Sequence, residues 1–309
     1  MTTDSQRLQA ADDCHDDDPA RAAVALRQID PAALDRDERP LLAFLLNHVL
    51  GEKLGDWPLA DARQRALLAS CGATAAPVLW RQAAVAAALA GDAAAASRAT
   101  RSLGAAAKVG AAQAAEMVQL AALAFQVPRL DADRAASQVD AALRVLDGEP
   151  WQSPGAFDAA AAAACNNIAG QLGERAVAEL QSPALRDALV RAAECSRRLW
   201  LRCGDWVNHE RASYCVAVAA AATGDAGKAL AAARQGLALL DAHDGANEQT
   251  VDRAFLEMEQ AFALDGLGRQ EEAAAARARS ETLAAGFGNA SLKTWYAQRL
   301  ARHAALRAG

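Results

Sequence analysis

The chain has 309 residues, of which 53% are apolar and only 5% aromatic, and a net charge of −6. Ala dominates, with Leu, Arg, Gln and Glu filling much of the rest; these are the strongest helix formers, and no window sustains the alternation of a strand, so the fold is predicted to be all-α. The acidic balance, with Arg interleaved among Asp and Glu as on solvated helix faces, excludes a general nucleic-acid binder, which needs a basic stripe to displace counterions.

In chain order, the first feature is ADDCHDDDPARAAVALRQIDP (Ala11 to Pro31). Asp12, Asp13 and Asp16 spell DDxxD, which resembles the Mg²⁺-diphosphate motif of the all-helical prenyl-diphosphate and terpene synthases. In those enzymes a second acidic motif completes the metal site, and this chain has no (N/D)DxxSxxxE-like partner. Asp18-Pro19 reads as an N-cap followed by an N1 proline, and Asp30-Pro31 repeats the device. Residues 1–18 are therefore read as a solvated acidic tail, with no metal and no cofactor expected. The acidic start carries no secretory signal, and runs such as CVAVAAAA (Cys215 to Ala222) are too short to span a bilayer, so a cytoplasmic chain without a membrane partner is expected. Cys14, Cys71, Cys165, Cys195, Cys203 and Cys215 lack the dense spacing of a disulfide framework and read as reduced, mostly buried side chains.

Helical periodicity and caps predict helices at 19–29, 40–54, 57–71, 75–90, 92–108, 110–126, 131–147, 156–180, 183–203, 206–223, 225–241, 247–267, 269–285 and 289–307. GEPWQSPG (Gly148 to Gly155) is the strongest break; it separates an N-terminal array, 19–147, from a C-terminal array, 156–309, read as one continuous array joined by a loop. The last helix has polar residues throughout its length and is expected to cap the open end.

A repeat runs through these helices. Gly in a polar turn is followed five residues later by Ala: Gly55/Ala60, Gly91/Ala96, Gly173/Ala178, Gly224/Ala229 and Gly268/Ala273. Gly supplies the positive φ that ends one helix, an acidic neighbour caps the next, and the small Ala lets the two helices approach closely. The clearest unit, SYCVAVAAAATGDAGKALAAARQGLALLD (Ser213 to Asp241), resembles the tetratricopeptide (TPR) repeat family. The resemblance implies an α-solenoid of about seven antiparallel helix hairpins. It also implies a partner-binding concave surface, with groove positions at Leu42, Leu45 and Val49, at Val78, Arg81 and Val85, at Arg211, Tyr214 and Val218, and at Phe255, Met258 and Phe262. The Lys and Asn clamp that chaperone-binding members use for acidic C-terminal peptides is missing, which suggests an apolar ligand helix or a groove partly filled by the protein itself.

RRLWLRCGDWVNHERASY (Arg197 to Tyr214) is the densest cluster of binding-type side chains. Either Trp200, Trp206, Asn208, His209, Glu210, Arg211 and Tyr214 form a recognition patch where two helices meet, or Trp200 and Trp206 wedge the junction, Asn208 caps and Arg211 pairs with a carboxylate. His209-Glu210 is no HExxH site, because Ser213 stands where the second His is needed. In AACNNIAGQL (Ala163 to Leu172), Asn166 and Asn167 either tie their helix to a loop or hold a ligand backbone in the groove. The resulting expectation is a non-catalytic scaffold binding a peptide or partner protein through Arg211, Tyr214, His209, Trp206 and Asn167. The alternative is an all-α enzyme of lyase or synthase type; no P-loop, GxSxG elbow or GxGxxG turn is present to support it.

Overall fold

The structure, a computed structural model, describes residues 2–148, 155–245 and 248–308. Within them every regular element is helical: α1 (Asp4–Cys14), α2 (Pro19–Gln28), α3 (Arg39–Leu45), α4 (Trp57–Cys71), α5 (Pro77–Leu89), α6 (Ala93–Ala107), α7 (Ala111–Gln126) and α8 (Ala132–Gly148) come first. They are followed by α9 (Ala156–Gly173), α10 (Pro183–Cys203), α11 (Trp206–Ala222), α12 (Ala226–His243), α13 (Thr250–Gly266), α14 (Gln270–Ala285) and α15 (Ala290–Ala308). Among the described residues, no helix is long and apolar enough to cross a membrane.

The chain divides into two compact units, Met1–Phe125 and Gln126–Gly309. The division falls at the end of α7 and not at the Pro/Gly break, because α8 packs on α10 and so belongs with the helices that follow it. Residues 149–154 of that break lie outside the described residues.

In the first unit, the acidic N-terminus is a helix and not a solvated tail. Thr3 and Gln6 close a capping box, and Leu8 and Ala11, three residues apart on one face, are buried against the core of Leu26, Leu42 and Leu46. Two apolar residues among so many aspartates were too weak a signal to read as a helix. The helix expected across 40–54 changes pitch partway: α3 runs into a π-helical segment, Leu46–Lys53, which is an unusual device often found at functional sites. Gly51 in that segment has no room for a side chain, since a Cβ would lie 2.4 Å from the Trp57 ring. Leu42, Leu45, Val49 and Val85, which the repeat pattern puts at groove positions, are buried in the core.

In both units the repeated turn has the expected chemistry. Gly55, Gly91 and Gly224 adopt φ of 75°, 83° and 80°, and the aspartate that follows each accepts the N–H of Leu59, Ala95 or Lys228. Gly268 has φ 74°, but Arg269 cannot cap and pairs with Glu272 at 2.6 Å. The Gly173/Ala178 pair does not form such a turn: α9 stops at Gly173, Ala178 is exposed, and Ser182 with Pro183 starts α10. In the second unit α9 packs on α10, α11 on α12 and α13 on α14, while α11 also touches α9 and α13. Its core is alanine-lined, with Ala220, Ala229, Ala261 and Ala273 around Leu264, and these small side chains allow close helix contacts.

Candidate functional site

The cluster of Trp206, His209, Arg211 and Tyr214 lies at the start of α11, where Asp205 and Asn208 form a reciprocal capping box. Trp206 stacks on His243 of α12 with ring centroids 5.6 Å apart. His209 Nε2 meets the Trp200 carbonyl at 3.1 Å; a carbonyl only accepts, so Nε2 carries the proton and ties α11 to the end of α10. Arg211 is exposed and pairs with Asp252 of α13 at 3.0 Å. Tyr214 is half-buried, edge-on to Phe255 of α13 at 6.2 Å, and burial pushes its phenol up. Asn167 stands apart, exposed on α9, and no hydrogen bond among the described residues joins it to the other four.

Between His209 and Arg211, Glu210 is fully buried, and neither of its carboxyl oxygens meets a donor among the described residues. Burial and the neighbouring Asp252 charge push this carboxyl up to about 8, against the opposing pull of Arg211. It is therefore protonated at neutral pH and can donate its proton toward Asp252.

The residues that sequence reasoning missed come from α15. This helix, expected to cap the open end, engages three others: α13, α14 and the end of α9. Trp295 lies 4.2 Å from Phe255 by ring centroid, and Tyr296 shares a 2.7 Å hydrogen bond with Ser280 of α14. Arg299 and His303, one turn apart, donate to the same oxygen of Glu259 on α13 at 2.8 and 3.0 Å. Arg302 donates to the Gly173 carbonyl at the end of α9 at 2.8 Å. His303 also stacks on Phe262 at 4.1 Å, and the Arg307 guanidinium sits 4.8 Å above the same ring.

Glu259 is 0% exposed and Arg299 3%. Burial alone would raise the Glu259 carboxyl, but the charges and hydrogen bonds of Arg299 and His303 outweigh it and hold the group at about 2. A buried pair of this kind contributes mainly by fixing geometry, since desolvation offsets much of the attraction. The legible signal was Arg299 and His303 at i and i+4 on a helix that also carries the adjacent aromatics Trp295 and Tyr296.

A further cleft, about 630 Å³ between α8 and α10, is lined by Arg191, Arg197, Arg198 and Cys195. Its arginines are paired with Asp140, Asp147 and Glu194, so it offers little free positive charge to an anion. No protein-family model matches this chain, and no curated protein matches it.

Proposed function

We propose that this chain is a non-catalytic, cytoplasmic, TPR-like helical-repeat scaffold that receives an amphipathic helix of a partner protein on the surface presented by α11 and α13. The helix pairs and their glycine–aspartate turns support reading it as a solenoid of about seven hairpins. The observation that carries the functional reading is the seat of α15. Phe255 and Phe262, two positions at which the repeat pattern puts ligand contacts, are covered by a helix of the chain itself.

The seat defines the chemistry of a partner. It takes two adjacent aromatics against Phe255, followed by basic residues one turn apart against Glu259 and Asp265. A basic, aromatic amphipathic helix matches that surface and an acidic peptide does not. In this reading Arg211 lies at the exposed rim and Tyr214 on the wall, Trp206 and His209 hold the start of α11 in place, and Asn167 is a contact on α9.

The test is a fluorescent peptide with the sequence of residues 290–308, titrated by anisotropy into the wild-type chain and into a W295A/R299A variant. A tethered helix competes at roughly millimolar effective concentration. The wild type should therefore bind the peptide at least about tenfold more weakly than the variant, whose own α15 is loosened. No binding to a variant that keeps its helicity would overturn the proposal.

A further inference from the structure

The stretch that joins α1 to α2 brings two imidazoles and a carboxylate to one point. His15 follows the last turn of α1, Asp16 is next to it, and His48 lies in the π-helical segment, 32 residues further on. Their candidate ligand atoms all lie within 4.8 Å of one another, and among the described residues this is where three such groups converge. The two oxygens of Asp16 are divided between the rings: Oδ2 is 3.4 Å from His15 Nε2 and Oδ1 is 3.4 Å from His48 Nε2. That separation is long for a charge-assisted hydrogen bond. It is close to the spacing of about 3.4 Å that a tetrahedral ion imposes on ligands ~2.0–2.1 Å from it.

The far sides of both rings are committed. His15 Nδ1 meets the Asp12 carbonyl at 2.5 Å; since a carbonyl only accepts, the proton is on Nδ1 and the lone pair of the neutral ring is on Nε2. His48 Nδ1 meets Glu52 Oε2 at 2.6 Å, one turn along the same segment, which likewise turns Nε2 toward Asp16. Metal-bound histidines are oriented in this way, the second nitrogen donating to a carbonyl or carboxylate behind it. Phe44 fixes the ring planes, stacked on His48 at 5.3 Å and 10° and edge-on to His15 at 6.4 Å.

A cation is already drawn to this point. Lys53 Nζ lies 3.1 Å from Asp16 Oδ1, and the C-terminal end of α1 adds its own negative partial charge. Lys53 is on a long, partly exposed side chain that can swing away when an ion takes its place.

We propose that His15, Asp16 and His48 bind a divalent transition-metal ion of the zinc class. Two imidazole nitrogens select against Ca²⁺ and Mg²⁺, which take oxygen ligands. Three protein ligands leave one coordination position for water. The DDxxD stretch is thus metal-binding through its histidine and last aspartate, and not through the carboxylate clusters that chelate Mg²⁺-diphosphate.

The test uses the full chain, freed of metal with a chelator and titrated with Zn²⁺ by calorimetry, with Co²⁺ as an absorption probe of coordination. One ion per chain should bind, and Co²⁺ should give the visible bands of a low-coordinate N/O site. H48Q and D16N should each weaken binding at least about tenfold, and E52Q by roughly 10–100-fold through the lost orienting bond. K53M should tighten it. Asp16 is exposed, so D16N remains informative if H48Q fails to fold. No saturable binding would overturn the proposal. So would unchanged affinity in D16N and H48Q, which would mean the ion is held elsewhere, for instance by the cysteines.

Discussion

Two glutamates of the second unit, Glu210 on α11 and Glu259 on α13, are both 0% exposed, yet they titrate at opposite ends of the range. Burial pushes both carboxyls up. At Glu259 the cations of α15 overcome that push and hold it at about 2; at Glu210 the nearest strong neighbour is another carboxylate, Asp252, and the group rises to about 8. Depth in the protein therefore does not decide the charge of a side chain here. The partner supplied by a different helix decides it. Glu259 is an anion waiting for cations, which α15 provides, whereas Glu210 is a neutral acid that needs no cation and stays inside the α11–α13 contact.

The largest way to break this contrast is to remove the cation. Arg299→Met leaves Glu259 buried with His303 as its remaining hydrogen-bonding partner, and losing one member of a buried pair costs about 3–5 kcal/mol. For a unit of this size that lowers Tm by roughly 10 °C. The double variant E259M/R299M removes both charges and should recover most of the loss, since apolar replacements of a whole buried pair are often neutral. Thermal unfolding followed by circular dichroism measures both. A double variant as unstable as R299M alone would show that the pair is not the unit of stabilisation.

How much of this was legible in the sequence depended on the range over which each feature is encoded. Helix starts were legible where Pro and a capping residue mark them: α4 begins at Trp57 after Asp56, and α10 at Pro183 after Ser182. The π-helical segment was not, because the apolar pattern of Leu42 to Leu50 is helical at either pitch. Arg211 and Tyr214 could be singled out from local density alone. Glu259 and Arg299 could not, since they lie 40 residues apart, and Arg302 reaches a carbonyl 129 residues away. Periodicity shows that α15 has two faces but not which acid receives its arginines. His15 and His48 were isolated in sequence for the same reason, being joined only by how α1 packs near α3.

The next effect is smaller and lies in pH. Glu210 has a folded pKa of about 8 against an ordinary 4.5, so between those values the folded chain keeps a proton that the unfolded chain has lost. Its contribution to stability is complete below 4.5 and falls as pH rises toward 8, at up to about 1.4 kcal/mol per pH unit. Glu259 has the opposite sign. With a folded pKa of about 2, its contribution is present above 4.5 and is lost as pH falls toward 2. Urea unfolding at stepped pH should show both limbs. E210Q should flatten the alkaline limb and leave the acid limb intact; an alkaline slope that persists in E210Q would place the titration elsewhere.

The smallest effect separates charge from stability at the same contact. Arg211 is exposed and pairs with Asp252, an interaction of roughly 0.2–1 kcal/mol at most, so Arg211→Ala should scarcely change Tm. Its charge is nevertheless what opposes the rise of Glu210. Removing it also releases Asp252, which then faces Glu210 without a competing cation. The Glu210 midpoint should therefore move further up in R211A, while Glu259, held by a different cation on a different helix, should not move. Carboxyl carbon NMR titration of the two glutamates reads both shifts in one sample. If the two midpoints moved together, they would be coupled through α13, and the distinction between a paired and an unpaired buried acid would not hold.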